Sequence, residues 1–586
     1  MCGIVVEAGS RCFIEPGSAK VELMAAAITH RGPDGQGYLN VSSNEWAVNL
    51  GMRRLAILDR EHGKQPMHRG GASLVFNGEI YNHRWLRHNL TLTGGPFKTQ
   101  CDTEALARAW EADGPDCVTT LEGMFAFAVW DRTREALYLV RDRIGKKPLY
   151  YFWDEQRNVL LAGSEIKALL VHPLVDKQIN PVGLCDYLSL QYVPEPATAY
   201  KGIMCVSPGC MAIYRPTEGS FTIARWHEFD PGNYLDINPI VVRDVVDRAV
   251  AGRMESDVPL GVYLSGGIDS SIIATVANKL VPELHTFSMG FQDDRYNELP
   301  YAKRLADELG TVHHEHVCES VSLPVMADRI VAQYDQPFGD YSAIPTMLLC
   351  EASKKYITVA LSGDGGDEAF GGYERYWVAD RRHGVVGYTN WMMPIQMVQR
   401  NAMLAEPFKE QVKDALNTRV WLLNHAMDCP AKGVLNQWMW LDMMTYLPND
   451  IIVKMERASM AASVEVRCPF LDHKVLELAL AIPDDQKVFA DTGKYILREA
   501  FQNVLPTWVL LRPKRGFSVP MNEWFREQTG VDMLLTMMTD PCWPWDVLQA
   551  DRVAERVEAH LRNRTSIGHE LWIILMLHLW MKKHFG

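Results

Sequence analysis

Apolar positions follow two regimes along the chain. Before residue 200 they fall in short runs rich in aromatics and valine. The runs 53–59, 75–82, 121–130 and 137–141 read as strands. Asn77-Gly78 between apolar residues is a hairpin or strand-end signal. A helix is expected after Gln100, with Asp102 and Glu104 in its first turn. Many strands with few helices predict stacked antiparallel sheets. After residue 238 the pattern changes. The stretch 241–254 has helical spacing. An apolar run, 258–264, leads through a loop of small residues into a helical run, 271–280. Strands are expected at 284–291, 312–317 and 356–361, with a helix at 298–309. Such alternation predicts a mostly parallel sheet with ligands at the carboxyl ends of its strands. From Tyr373 on the chain reads as largely helical, Met- and Trp-rich core. The run 571–581 is too short for the ~20 residues of a membrane span and reads as a buried helix.

The Pro-rich run 192–196 and the segment 207–209 mark the end of a first unit, and 226–238 is polar and turn-rich. The expected division is a domain at 1–210, a linker at 211–237 and a second domain at 238–586. A length of 586 residues fits two or more domains. The net charge of −13 counts against a nucleic acid or an anionic membrane as partner. Twelve cysteines without C-x-x-C pairs suggest neither a zinc site nor a disulfide framework, which points to a reducing, cytoplasmic setting. The N-terminus lacks the basic and apolar regions of a secretory signal.

Chemistry enters at Cys2. Removal of Met1 would leave a thiol and a free α-amine on one residue, and an amine titrating near ~7.7–8 can serve that thiol as its base. The companions are His30-Arg31-Gly32-Pro33-Asp34, Arg54-Leu55, the run Phe76-Asn77-Gly78-Glu79-Ile80-Tyr81-Asn82, Cys101-Asp102-Thr103-Glu104 and Gly123-Met124-Phe125-Ala126. In this order the pieces resemble the class II glutamine amidotransferase domain, an N-terminal-nucleophile fold. The resemblance implies that Cys2 attacks the side-chain amide of glutamine, with Asn77 and the Gly78 N–H binding the oxyanion. It further implies that Arg54, Glu79 and Asp102 hold the glutamine. The charges of 139–151 and 164–168 are assigned to structural pairs.

The second half is organised around Leu264-Ser265-Gly266-Gly267-Ile268-Asp269-Ser270-Ser271. A loop of this kind turns several backbone N–H groups toward one spot at a helix start, which suits phosphate. It is neither a Walker A loop nor G-x-G-x-x-G. It matches the pyrophosphate loop of nucleotide α-hydrolases. A second glycine-rich loop, Ser362-Gly363-Asp364-Gly365-Gly366-Asp367-Glu368, follows another strand. Asp269 and Asp367 are hard donors suited to Mg2+. His313, His314 and His316 are assigned to structure, because adjacent strand positions face opposite sides.

With Leu447-Pro448-Asn449-Asp450-Ile451, Lys454, Glu465-Val466-Arg467, Gly493-Lys494-Tyr495 and Gly516-Phe517-Ser518, this half resembles the synthetase domain of asparagine synthetases. The implied fold is a PP-loop α/β domain with a helical C-terminal part. The implied reaction adenylates a carboxylate with Mg-ATP and converts it to an amide, releasing AMP and pyrophosphate. Leu264, Met289, Ser362 and Gly363 would line the adenylate site beside the Ser265–Ser271 loop. Asp364 and Lys494 would be catalytic, Lys494 neutralising phosphate charge. Asp364 stands where well-known asparagine makers often carry glutamate, and no arginine occurs in 340–346, where some have one. The simplest acceptor is L-aspartate. The alternatives are a sugar uronate or secondary-metabolite acid, or a non-catalytic regulatory homologue. The family also suggests a homodimer.

Overall fold

The computed structural model describes the chain except Met1, 233–236, 319–322, Arg515, Phe517, Trp543, Trp545 and the side chains at 93 and 94. Met1 and Phe517, members of two motifs above, thus lie outside the described residues.

The first half stacks two six-stranded antiparallel sheets. In one, the order is Ile203–Cys205, Tyr150–Asp154, Val159–Gly163, Gly3–Ser10, Trp46–Arg54, Gly35–Ser42. In the other it is Ser220–Arg225, Cys210–Arg215, Ala136–Arg141, Gly123–Asp131, Ala72–Ile80, Met67–Arg69. Strand alternation builds the layers. Ile4, Val6, Ala8 and Leu50 meet Val75, Ala128 and Leu139 between the sheets. Val5 faces the other way, toward Met24 and Leu188 of flanking helices. Leu74 and Phe76 pack outward on Leu106 and Trp110 of the helix Asp102–Asp113.

Three expectations change here. Residues 211–237 are not simply a linker. Cys210–Arg215 pairs with Ala136–Arg141 and with Ser220–Arg225, so the first unit runs on to at least Arg225. The Pro-containing segments at 192–196 and 207–209 are bends within the unit, not its end. Asn77-Gly78 is no hairpin turn, since both residues pair with Ala126 and Phe125 in mid-strand. The run 53–59 is strand only through Arg54, because the chain then turns away to wrap the Arg54 side chain.

The second half is built on a parallel five-stranded sheet ordered Val312–Cys318, His285–Phe291, Leu260–Tyr263, Val359–Leu361, Glu465–Arg467. From Leu260–Tyr263 the strand order runs outward in both directions. The crevice at such a reversal is where open α/β sheets bind ligands. Both glycine-rich loops leave adjacent strands there. His314 stacks on His285, Phe287 and Tyr356. The last helix, Gly568–Phe585, is buried over Leu571–Leu577. Among the described residues no helix is long and apolar enough to cross a membrane.

The halves are clamped by buried charge. Glu165 accepts from Arg31 at 2.8 Å and His30 at 3.0 Å, and pairs with Lys167 at 3.0 Å and Arg457 at 3.1 Å. Arg31 also donates to Glu456 and to the Cys2 carbonyl. These are the structural pairs expected for the 164–168 segment.

Candidate active sites

Cys2 immediately precedes the strand Gly3–Ser10 of the first sheet and is 7% exposed. Asn77 and Gly78 reach it from the facing sheet. The Cys2 N–H donates to Asn77 Oδ1 at 3.0 Å, while Asn77 Nδ2 is buried and has no partner. A free amide donor therefore sits beside Cys2. Gly78 has φ +154°, and a Cβ there would stand 2.0 Å from the Met124 carbonyl. The position therefore admits only glycine. Arg54 is wrapped by its own loop, donating to the carbonyls of Leu58, Asp59 and Arg60 at 3.3, 2.9 and 2.8 Å. Asp102, at the start of the helix Asp102–Asp113, accepts the Ile80 N–H at 2.9 Å. Burial pushes the Cys2 thiol up, and pushes Asp102 up as well. Burial, Glu465 and Asp102 together push Glu79 well above the carboxylate range. Glu465 and Arg467 belong to the other half. Sequence reading assigned them no place at this site, because nothing in a linear pattern shows which strand edge meets another domain.

The second site is a cavity of about 940 Å³ in the sheet crevice. Ser265, Gly267, Asp269 and Ser270 form one wall, and Ser362, Gly363, Asp364 and Asp367 another. Leu264 and Met289 line it as expected. Gly266 and Ser271 do not. Gly266 makes the turn at φ +72°, and Ser271 is buried as the fourth residue of the helix Ile268–Ala277. The Ser270 hydroxyl ties the loop together, accepting the Ser265 N–H at 3.2 Å and donating to the Gly267 carbonyl at 3.1 Å.

Lys494 stands in the left-handed region at φ 58° and is 2% exposed. Its ammonium pairs with Asp269 and lies 2.6 Å from Asp367 Oδ1. Lys514 takes the other Asp367 oxygen at 2.6 Å. Burial pushes Asp367 up, but the two lysines outweigh it and hold the carboxyl below its ordinary range. Asp269 Oδ1 is buried and accepts no hydrogen bond. Arg512 pairs with Glu298 and donates to the Ser265 carbonyl at 3.1 Å. Sequence reading missed Lys514 and Arg512, which lie outside any strand–loop signal.

At the far end, Lys454 pairs with Asp340 at 2.8 Å, and Ser342 donates to the same carboxylate at 2.7 Å. Gln191 of the first half joins them, donating to Asp450 and accepting from His569 at 2.6 Å. Asp364 is held by the Ser362 hydroxyl at 2.7 Å, and burial pushes it up.

A model of the family described as asparagine synthase matches residues 241–582, and one described as a glutamine amidotransferase domain matches 1–227. The chain belongs to the asparagine synthase family. It is 32% identical to glutamine-hydrolysing asparagine synthetase 1 of Bacillus subtilis, over 96% of this chain and 93% of that protein. Glutamine-hydrolysing asparagine synthetase 3 of the same organism is 31% identical over 88% of this chain and 87% of its own. A glutamine-hydrolysing asparagine synthetase of Arabidopsis thaliana is 29% identical over 88% and 78%.

In this family member a hollow of about 30 Å³ lies at the seam of the two halves. Met124, Lys146 and Lys147 line it from the first half, and Ser459 and Cys468 from the second. Met124 is the cross-strand partner of Glu79. Asp364, Ile451 and Met455 line both this hollow and the large cavity. Asp364 is thus common to the walls of both spaces.

Proposed function

We propose that the chain is a ligase that makes an amide in two coupled steps. Glutamine is hydrolysed at Cys2, and the ammonia crosses the hollow to attack a carboxylate activated as its adenylate. Asn77 Nδ2 and the Gly78 N–H receive the oxyanion, a contribution worth ~10²–10³ in rate for one such donor. Arg54 pairs with the α-carboxylate of glutamine, and Glu79 and Asp102 with its ammonium. The Ser265–Ser270 loop and Ser362-Gly363 cradle the nucleotide, with Lys494 drawn toward the phosphates.

Asp269 and Asp367 fit Mg2+. They are two converging carboxylates, one with an unpartnered oxygen, and Mg2+ takes the rest of its shell from phosphate and water. The ion would offset phosphate charge there. Lys494 and Lys514 hold this place in the present state.

The observation that carries the reading is Asp364, shared by the hollow at the seam of the halves and by the large cavity. L-aspartate is the simplest acceptor, giving asparagine. A different acid is favoured by one feature: Lys454, the cation at the acceptor end, is already paired with Asp340.

The test is a screen of carboxylates, L-aspartate and sugar uronates included, for pyrophosphate release with Mg-ATP and glutamine. Amide, AMP and pyrophosphate in equal amounts are expected. ADP and phosphate instead would rule out adenylation. Neither glutaminase nor nucleotide turnover would sink the reading and favour a regulatory protein.

A further inference from the structure

The strand Glu465–Arg467 forms the edge of the parallel sheet nearest the first half. It pairs with Val359–Leu361, and the Ser362 N–H donates to the Arg467 carbonyl at 3.0 Å. The backbone of Arg467 therefore supports the nucleotide loop. Its side chain leaves in the opposite sense and crosses the domain boundary. Arg467 Nη2 lies 3.4 Å from Glu79 Oε1, and Nε donates to Glu465 at 2.7 Å. Nη1 donates to the carbonyls of Arg253 and Glu255 at 2.8 and 2.7 Å. The guanidinium is 1% exposed at the side chain, and its fork is fixed on three sides.

Glu79, Asp102 and Glu465 are buried close enough for each to act on the ionisation of another. Other charged or titratable groups acting around them include Lys147, Arg253, Tyr81 and His83. Burial and the neighbouring acids raise both Glu79 and Asp102, so an ammonium entering beside them would favour their charged forms.

We propose that Arg467, carried by the synthetase half, is a positioning residue for glutamine in the other half. It aims Glu79 and shares its charge, so that the substrate's ammonium completes the pocket. This rests on the reading that Glu79 and Asp102 hold that ammonium. The glutamine pocket is then a composite of both halves, and Arg467 is also the residue whose backbone holds Ser362.

The test uses the full chain and follows glutamate release from glutamine. Arg467→Met should raise the glutamine KM roughly tenfold or more while kcat moves by less than about threefold. Arg467→Lys should recover part of the loss. If Arg467 acts through Glu79, then Glu79→Gln with Arg467→Met should be no worse than Glu79→Gln alone. Ammonia-dependent pyrophosphate release reports that a variant is folded; should Arg467→Met fail it, the Arg467→Lys and Glu79→Gln pair carries the same cycle. An unchanged glutamine KM in a folded variant, or fully additive losses in the double variant, overturns the proposal. A wild-type chain that hydrolyses no glutamine overturns the parent reading instead.

Discussion

Lys494 places its ammonium 2.6 Å from Asp367 while also pairing with Asp269, so one buried cation joins the two glycine-rich loops. Each loop comes from a separate strand of the parallel sheet, and Lys494 comes from neither. Lys494→Met leaves both acids without their shared partner and removes the charge meant for the phosphates. Pyrophosphate release should fall by ~10²–10³. Glutamate release should continue, since Lys494 pairs with the loop acids Asp269 and Asp367 and not with the groups around Cys2. Wild-type pyrophosphate release by the variant would show that Lys494 is structural.

Gly372 lets that lysine in. A Cβ at this position would lie 2.0 Å from Asp367 Oδ1 and 2.2 Å from Lys494 Cε. Gly372→Ala should therefore push Lys494 off the acid pair with no change of charge. The expected result is a raised KM for ATP together with a lowered kcat, read by pyrophosphate release at varied ATP. Kinetics like those of the wild type would mean that Lys494 has other room to move.

Glu368 gives the fold a pH dependence of its own. Burial and the neighbouring Asp367 push its carboxyl up to about 7, although the Tyr373 hydroxyl donates to it at 2.6 Å. The folded state thus keeps a proton that the unfolded chain releases near ~4.3. Stability should fall as pH rises between these two values and level off above the higher one. Glu368→Gln removes this decline and should gain up to about 3 kcal/mol over the wild type at pH 8. Urea unfolding at pH 5 and pH 8 measures it. A wild-type chain equally stable at both values would refute the assignment.

Much of this architecture is legible in the chain because local pattern and tertiary role agree. The small-residue loop after 258–264 has the turn, the helix start and the acid at fixed spacing, and it does line the cavity. Failures came where the third dimension decides. Asn77-Gly78 carries a turn signal, yet Gly78 is needed because the Met124 carbonyl passes 2.0 Å from where its Cβ would be. The polar, Pro-bearing stretch past 207 reads as a boundary, but Cys210–Arg215 finds a free sheet edge beside Ala136–Arg141. Lys514, Arg512 and Arg467 reach their partners across hundreds of residues, and no periodicity encodes that.

Glu165 should make the joined halves acid-sensitive. Burial alone would raise its pKa, but Lys167, Arg457 and His30 hold it well below the ordinary range. A depressed folded-state pKa stabilises above the unfolded value of ~4.3, and this contribution is lost as pH falls through the folded value. Glu165→Gln leaves Arg31 and Arg457 buried against a neutral partner. Breaking one side of such a cluster costs about 3–5 kcal/mol. At pH 7 the urea midpoint of the variant should drop accordingly, while the difference from wild type shrinks in strong acid. Equal midpoints at pH 7 would show the cluster to be dispensable.

A substitution at Asp364 should separate activation from transfer. Asp364 lines both the hollow at the seam of the halves and the large cavity, and the Ser362 hydroxyl fixes one of its oxygens at 2.7 Å. Ammonia arriving there must lose a proton as it becomes an amide, and the nearer carboxylate is the natural acceptor. Burial raises the Asp364 pKa, which strengthens it as a base. Adenylation needs no such base. Asp364→Asn should thus keep acceptor-dependent exchange of labelled pyrophosphate into ATP while amide formation falls by ~10²–10⁴. Asp364→Glu restores the charge one methylene further into the cavity and should recover part of the rate. Parallel loss of exchange and amide would move Asp364 from the transfer step to nucleotide binding.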